Sequence, residues 1–298
     1  MKVFVTGGTG FVGLYLLEEL LAAGHTVRCM VRDGSEGKLP LREGIEVRLG
    51  DATDPVSLEG SLEGCEALIH LVGIIREFPS RGITFERLHT EATRNVVAAA
   101  VAQGVRRFVQ MSANGARPDA ATAYHRTKWQ AEESVRDSGL AWTIFRPSLI
   151  FGPGDQFINL LADMIRRAPL VPVIGNGRYQ MAPVAVEDVV SCFVKALELP
   201  ASSGQTYHLC GPARYSYDEI LDLVGETLGR DKVSKIHQPL WLMRPLVALG
   251  QAFPAFPITS TQLTMLLEGN VCPDQDWPAT FGLTPRPLAD GIKHYLTP

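Results

Sequence analysis

An excess of positive charge is missing from this chain: 28 Lys and Arg against 32 Asp and Glu leave a formal net charge of −4. No global basic field exists to hold nucleic acid. Cysteine is sparse. Cys29, Cys65, Cys192, Cys210 and Cys272 are odd in number, widely scattered and never in a CxxC pair. That excludes zinc-type spacing, and reduced thiols in a cytosolic setting fit better than a disulfide frame. The seven histidines form neither HxxxH nor HExxH, so no metal site can be argued. No run reaches the roughly 18 apolar residues that span a bilayer. The first residues read as a core strand, not a charged leader with a cleavage site, so no signal peptide is expected. The location expected from these absences is cytoplasmic, or peripheral to the inner face of the membrane.

What is present is ordinary globular material, 298 residues with 46% hydrophobic and 20% charged. Such a chain can bury a large core, as one extended domain or as a nucleotide-binding domain with a smaller partner. The stretch Val3-Phe4-Val5-Thr6-Gly7-Gly8-Thr9-Gly10-Phe11-Val12-Gly13 organises the rest. An apolar β-run meets three glycines, and a Leu-rich helical pattern follows from Leu14 to Ala23. A strand must therefore stop, turn sharply and hand over to a helix whose first amides face outward, the outline of a phosphate site. Gly7 allows the tight turn, Gly10 lets backbone approach a pyrophosphate, and Gly13 lets the helix pack closely.

The first half repeats this rhythm. Strands are expected at 26–31, 45–49, 67–72, 107–111 and 142–145, with helices near 55–62, 85–102 and 123–138. Strands separated by helices imply a parallel sheet covered on both faces. The fold class expected is α/β, a doubly wound Rossmann-like sheet with a smaller C-terminal α/β lobe. Residues 1–150 would form the dinucleotide-binding core, with 176–210 returning to it, and 151–298 predominantly a substrate or partner lobe.

The end of the second strand bears on the cofactor. Arg32 is placed to pair with a 2′-phosphate and Asp33 lies one step later, so NADP(H) is preferred, with NAD(H) as the alternative. Asp51, after the third strand, can accept from the adenine amino group or cap the next helix, for which Asp54 is better placed. Gly73 ends the fourth strand and again lets backbone pass near a cofactor. Tyr124 and Lys128 stand at i,i+4 on one helix face. An ammonium there is expected to lower the phenol pKa toward the useful range. His125, next to Tyr124, is expected to point away from it, and His70 and His208 to be structural.

Thr6-Gly7-Gly8-Thr9-Gly10-Phe11-Val12-Gly13, Asp51, Tyr124xxxLys128 and Arg146-Pro147-Ser148-Leu149-Ile150-Phe151-Gly152-Pro153-Gly154 together resemble the short-chain dehydrogenase/reductase superfamily, on its extended and atypical side. The resemblance covers about residues 1 to 230. Val31-Arg32-Asp33, Met111 to Ala116, Tyr124 to Glu132 and Asn176 to Val184 are similar to the branch of the NADPH-binding accessory subunit of mitochondrial complex I and its bacterial, epimerase-like relatives. The resemblance implies a dinucleotide lying across Gly7, Thr9, Gly10, Phe11, Val12 and Gly13, and reaching Arg32, Asp51, Ala52, Leu71, Val72, Gly73, Lys128, Pro147 and Leu149. It also implies Tyr124 as the proton-transferring group, Lys128 on the ribose, and Ser112 holding the reacting oxygen, although the register allows Ala113 or Asn114 in that place. Two departures stand out. His89 and Ala92 replace the Asn and Gly of the superfamily's usual helix motif, and Ala185 stands where a His or Tyr is common, which weakens a sugar-nucleotide reading.

Beyond Gly154 the rhythm loosens. Helices are expected at 157–167, 189–197 and, with a capping box at Ser216 and Glu219, to Leu228; a strand is expected at 205–209. Gly175-Asn176-Gly177 reads as a hairpin-like turn. Arg178 and Arg214 are candidate phosphate contacts or ordinary surface arginines. The charge-poor stretch 239–267 reads as core, as an apolar substrate or partner surface, or as a membrane contact. The functions that follow are an NAD(P)-dependent reductase for a quinone- or isoprenoid-related or other apolar small molecule, a nucleoside-diphosphate-sugar epimerase or dehydratase, or a cofactor-bearing subunit or assembly protein of a respiratory complex.

Overall fold

A computed structural model describes every residue except 41, 254, 255, 274, 275, 297 and 298. The chain opens with β1 (Lys2–Thr6), α1 (Phe11–Ala22), β2 (Thr26–Val31), β3 (Ile45–Leu49), α2 (Pro55–Leu58) and β4 (Ala67–His70). A π-helical turn (Glu86–Glu91) runs into α3 (Ala92–Ala102), followed by β5 (Arg107–Met111), α4 (Ala123–Arg136) and β6 (Ala141–Pro147). Then come β7 (Ile150–Phe151), α5 (Ile158–Arg167), β8 (Val171–Ile174), β9 (Gln180–Met181), β10 (Val184–Ala185), α6 (Val186–Glu198) and β11 (Gln205–Leu209). The remainder is β12 (Tyr215–Ser216), α7 (Tyr217–Thr227), β13 (Lys235–Gln238), α8 (Leu240–Gly250), α9 (Ser260–Glu268), α10 (Trp277–Phe281) and α11 (Leu288–Leu296).

These elements fall into two units, the first comprising Met1–Pro147, Glu187–Leu209 and Gln275–Leu283. Its seven-stranded sheet has the order β3-β2-β1-β4-β5-β6-β11, all parallel, so the fold is Rossmann-like as expected. Consecutive strands depart in opposite directions from β1, and a crevice opens between β1 and β4 at their carboxyl ends. Central strands buried on both faces need unbroken apolar runs, and Val3, Phe4, Val5, Leu68 and Ile69 are all fully enclosed. Asp54 caps α2 by accepting from the Val56 amide at 3.1 Å, the role preferred for it over Asp51. The outer strand β11 closes over β6, where Phe145 meets the rings of Phe193, Tyr207 and Phe281 at 4.7, 5.8 and 5.5 Å.

The second unit comprises Ser148–Val186, Cys210–Asp274 and Thr284–Pro298. Its core gathers α5, α7 and α11 around Phe151, Ile158, Leu161, Ile220, Leu221 and Ile292. α7 begins on the expected capping box, Ser216 and Glu219 each serving the other's backbone amide. Two expectations need correction here. Gly175 and Gly177 do adopt φ of +75° and +68°, but they make no hairpin. β8 pairs in parallel with β13, and β9 pairs with β12, because Asn176 folds its side chain onto the Arg178 amide and the chain leaves β8 without doubling back on it. The cysteines are not all reduced: Cys210 and Cys272 form a disulfide, while Cys29, Cys65 and Cys192 are free and buried. The Ala182 region explains the pairing. Its amide donates to Asn270 and its carbonyl accepts from Gly211, which draws together two segments 62 residues apart in sequence. No helix among the described residues is long and apolar enough to cross a membrane.

Candidate functional site

The glycine turn is built as its spacing requires. Gly7 holds φ +81°, and the Gly10 amide donates back to the Gly7 carbonyl at 3.1 Å. A Cβ on Gly13 would lie 2.4 Å from that carbonyl and 2.6 Å from Gly8, so only glycine lets α1 start against the turn. Gly10 is the N-cap of α1, no side chain caps the helix, and no acidic residue stands in its first turn. Its uncapped amides and positive dipole end are therefore free to hold an anion.

A cavity of ≈ 290 Å³ opens beside this turn, at the carboxyl ends of β1 to β4. Gly7, Thr9 and Gly10 line one side, Arg32 follows β2, Asp51 and Ala52 follow β3, and Leu71, Val72 and Gly73 follow β4. Asp51 is oriented by Thr53, whose amide and hydroxyl both donate to one carboxylate oxygen at 2.8 and 2.9 Å. Arg32 is exposed and makes no side-chain bond among the described residues, so its charge is uncommitted. A glycine cradle that a Cβ would fill, an uncapped helix start and a carboxylate and guanidinium at the rim fit an adenine dinucleotide. Phe11, Val12, Gly13, Lys128 and Pro147 do not line this cavity, and Leu149 belongs to the second unit.

Lys128 sits just past it. Its ammonium is almost fully enclosed and lies 3.5 Å from the Val72 carbonyl and 3.4 Å from the Met111 carbonyl, at the ends of β4 and β5. Burial pulls its pKa down to about 8, against the pull of Glu132. Tyr124, one turn earlier, is wedged edge-on among Phe85, His89 and His125 with ring centroids at 5.6, 5.3 and 5.2 Å. Burial pushes its phenol up to about 12, the reverse of the lowering expected from Lys128; the cause is desolvation of the enclosed ring. His125 likewise does not point away but packs on the Tyr124 ring, drawn there because Thr122 caps α4 and its hydroxyl lies 3.1 Å from the imidazole Nδ1.

The model of the NAD dependent epimerase/dehydratase family matches residues 3–210 of the chain. This chain belongs to that family. It is 28% identical over 242 residues to the mitochondrial NADH dehydrogenase [ubiquinone] 1 alpha subcomplex subunit 9 of Dictyostelium discoideum, covering 79% of this chain and 66% of that protein. With the ceramide reductase of Caulobacter vibrioides it shares 31% identity over 198 residues, 66% of this chain and 61% of the relative. The chain thus spans somewhat under two thirds of the length of both relatives. Among solved structures, the UDP-glucuronic acid 4-epimerase from Bacillus cereus in complex with NAD superposes with a TM-score of 0.77 at 17% identity, over 99% of this chain and 98% of that one.

Within the epimerase/dehydratase frame, this member's departures have structural consequences. His89, in the π-helical turn, spans two elements: Nε2 lies 3.1 Å from the Ile74 amide nitrogen, and Nδ1 lies 2.9 Å from the Thr127 hydroxyl, which bonds in turn to the Ala123 and Tyr124 carbonyls. Burial and the Lys128 charge hold its pKa well below 6.5, so it is a neutral strut between the cavity's β4 edge and α4. Ser112 is committed elsewhere. Its hydroxyl donates to the buried Glu132 at 2.5 Å, and that carboxylate also accepts two bonds from Arg146, at 2.8 and 2.6 Å, and one from Arg136. Both guanidinium groups lie over the Trp129 ring. The Asn114 Oδ1 accepts from His208 Nδ1 at 2.8 Å.

Several lining residues escaped the sequence reading. Thr6, Val31 and Gly50 directly precede the residues named and Met30 lies two before Arg32, so counting back one or two steps along each strand finds them. Ile74 continues the Gly73 segment. Ile83 and Leu88 reach the cavity from the excursion between β4 and α3, and no motif marks them.

Proposed function

We propose that this family member is a nicotinamide-dependent reductase for a weakly polar carbonyl or quinone-related substrate, with NADPH preferred over NADH. The observation that carries the reading is the enclosed Lys128 ammonium, set between the Val72 and Met111 carbonyls one helical turn from Tyr124. The bound nicotinamide would supply hydride. The remaining work falls to the chain: the first amides of α1 hold the pyrophosphate, Asp51 accepts from the adenine amino group, and Arg32 pairs with the 2′-phosphate. Lys128 binds the ribose hydroxyls. Tyr124 donates its proton to the substrate oxygen as that oxygen gains charge, and Lys128 steadies the phenolate left behind.

The Tyr124 phenol, pushed up to about 12 by burial, is protonated at neutral pH, the state that the reductive direction needs. Kinship with a ceramide reductase supports an apolar substrate. A buried Ala185 at the place of a polar His or Tyr speaks against a nucleotide sugar. The protein would work in the cytoplasm or against the inner face of the membrane.

Ser112 favours a second reading. With its hydroxyl held by Glu132, Ser112 is not free to orient a substrate oxygen, as in a cofactor-bearing subunit that performs no turnover. Kinship with a complex I subunit supports this alternative. Titration of NADPH and NADH into wild type, Arg32→Ala and Tyr124→Phe, with turnover assayed on quinones and long-chain ketones, separates the readings. On the reductase reading, Arg32→Ala weakens NADPH about tenfold or more and leaves NADH nearly unchanged, and Tyr124→Phe lowers turnover by about 10²- to 10⁴-fold at unchanged affinity. Tight NADPH binding without turnover on any acceptor favours the subunit; equal losses for both nucleotides remove the case for NADP.

A further inference from the structure

Helix α8 carries two apolar faces, and only one of them is used. Met243 and Val247, one turn apart, pack with Leu263 of α9 into a small cluster edged by Ile174, Ile258 and Leu267. The other face holds Leu242, Leu246 and Leu249 at i, i+4 and i+7, with Trp241 along its edge and Phe253 just past its end. Trp241, Leu249 and Phe253 are 77%, 76% and 70% exposed. A helix apolar all round is normally covered on every side. Among the described residues, the cluster on α8 uses Met243 and Val247 and leaves Leu242, Leu246 and Leu249 exposed.

The charges say what kind of surface does. From Lys232 to Leu267 the sequence has three cations, Lys232, Lys235 and Arg244, and no Asp or Glu, in a chain whose net charge is −4. Lys235 is neutralised by Asp222 at 2.6 Å, but Arg244 is exposed and makes no side-chain bond among the described residues. It stands at the boundary between the packed and the bare face, where its stem can lie along apolar surface while the guanidinium reaches outward. A Trp and a Phe at the two ends of a Leu stripe, with the unpaired Arg244 cation beside it and Glu268 set back in the groove between α8 and α9, match the interface of an anionic bilayer. At 11 residues, α8 is too short to span one.

We propose that this face of α8 docks in the plane of an anionic membrane surface, with Trp241, Leu242, Leu246, Leu249 and Phe253 entering the headgroup layer and Arg244 meeting lipid phosphate. The proposal stands apart from the nucleotide site, and its test reads no enzymatic activity. The full chain is floated with vesicles of phosphatidylcholine alone and of phosphatidylcholine mixed with phosphatidylglycerol. Wild type is expected to rise with the mixed vesicles and much less with the neutral ones. The double variant Trp241→Ser, Leu249→Ser should lose at least about tenfold in bound fraction. Arg244→Glu should lose binding to the mixed vesicles while any residual binding to neutral ones is unchanged. Both variants lie on the exposed surface, and an unchanged melting temperature shows that they are folded. Wild type remaining in solution with both vesicle types overturns the proposal, and so does wild-type binding by the folded double variant. A dimer seen by light scattering that the double variant abolishes, with no vesicle binding, also overturns it and assigns the face to a second copy of the chain.

Discussion

A methyl group added to Gly73 would sit 2.7 Å from the ammonium nitrogen of Lys128. The end of β4 and the middle of α4 are thus matched with no room to spare, and the glycine sets where the buried cation lies. Its backbone lines the cavity while its missing side chain makes space for the lysine.

Gly73→Ala therefore moves a charge without breaking a core. The clash is with the far end of a flexible side chain, so the stability cost should stay within about 1 kcal/mol. On the reductase reading, turnover should fall by about 10- to 100-fold, as displacement of a positioning group by an ångström does. Paired thermal melts and turnover assays with saturating NADPH check this; a loss of folding equal to that of a core substitution would show that the glycine serves packing instead.

His70 predicts a pH response. Its Nδ1 lies 2.6 Å from the Thr6 hydroxyl, its Nε2 is enclosed without a partner, and its strand neighbour Gln110 has an enclosed, unpartnered Oε1. Burial, with the Lys128 charge behind it, depresses the His70 pKa from 6.5 to about 3. Below 6.5 the unfolded chain takes up a proton that the folded chain refuses, so stability present above pH 6.5 is lost as pH falls toward 3, by up to about 1.4 kcal/mol per pH unit. Urea titrations at pH 7 and pH 5 should show His70→Gln losing about 1 to 2 kcal/mol less over that interval than wild type. Equal losses would mean that other groups carry the acid sensitivity.

Thiol chemistry tests the disulfide and the burial of the other cysteines together. Burial pushes the Cys29 thiol up to about 12 and raises those of Cys65 and Cys192, so none should alkylate readily in the native protein. Intact-mass measurement after iodoacetamide should find almost no adducts on the folded chain. Cys29, Cys65 and Cys192 should react on unfolding, and Cys210 and Cys272 only after reduction. Alkylation of all five in denaturant without reductant would refute the cross-link.

The sequence already contained the parallel sheet and the phosphate turn because both rest on local patterns. Val3 to Val5 and Leu68 to Ile69 read as strands since buried parallel strands tolerate few polar residues, and Gly7 and Gly13 are demanded by backbone geometry that no other residue meets. Strand and helix ends shifted by a few residues, as at α2, which stops at Leu58. What stayed hidden depends on residues distant along the chain. The Cys210 and Cys272 pair, the capture of Ser112 by Glu132 and the approach of Ile83 and Leu88 to the cavity arise only once separate segments have been brought side by side. The Tyr124 pKa was misread for a related reason: spacing revealed the lysine, but the ring's enclosure by Phe85, His89 and His125 is a property of packing.

The return of β11 to pair with β6 has a bearing on biosynthesis. During translation, β6 leaves the ribosome some sixty residues ahead of the strand that will cover its open edge, and Phe145 waits longer still for Phe281. Until then the nascent nucleotide unit presents an unpaired parallel edge beside a bare aromatic ring, the kind of surface that holdase chaperones shield. A chain halted near residue 150 would thus have every glycine of its phosphate turn and no finished body to support it.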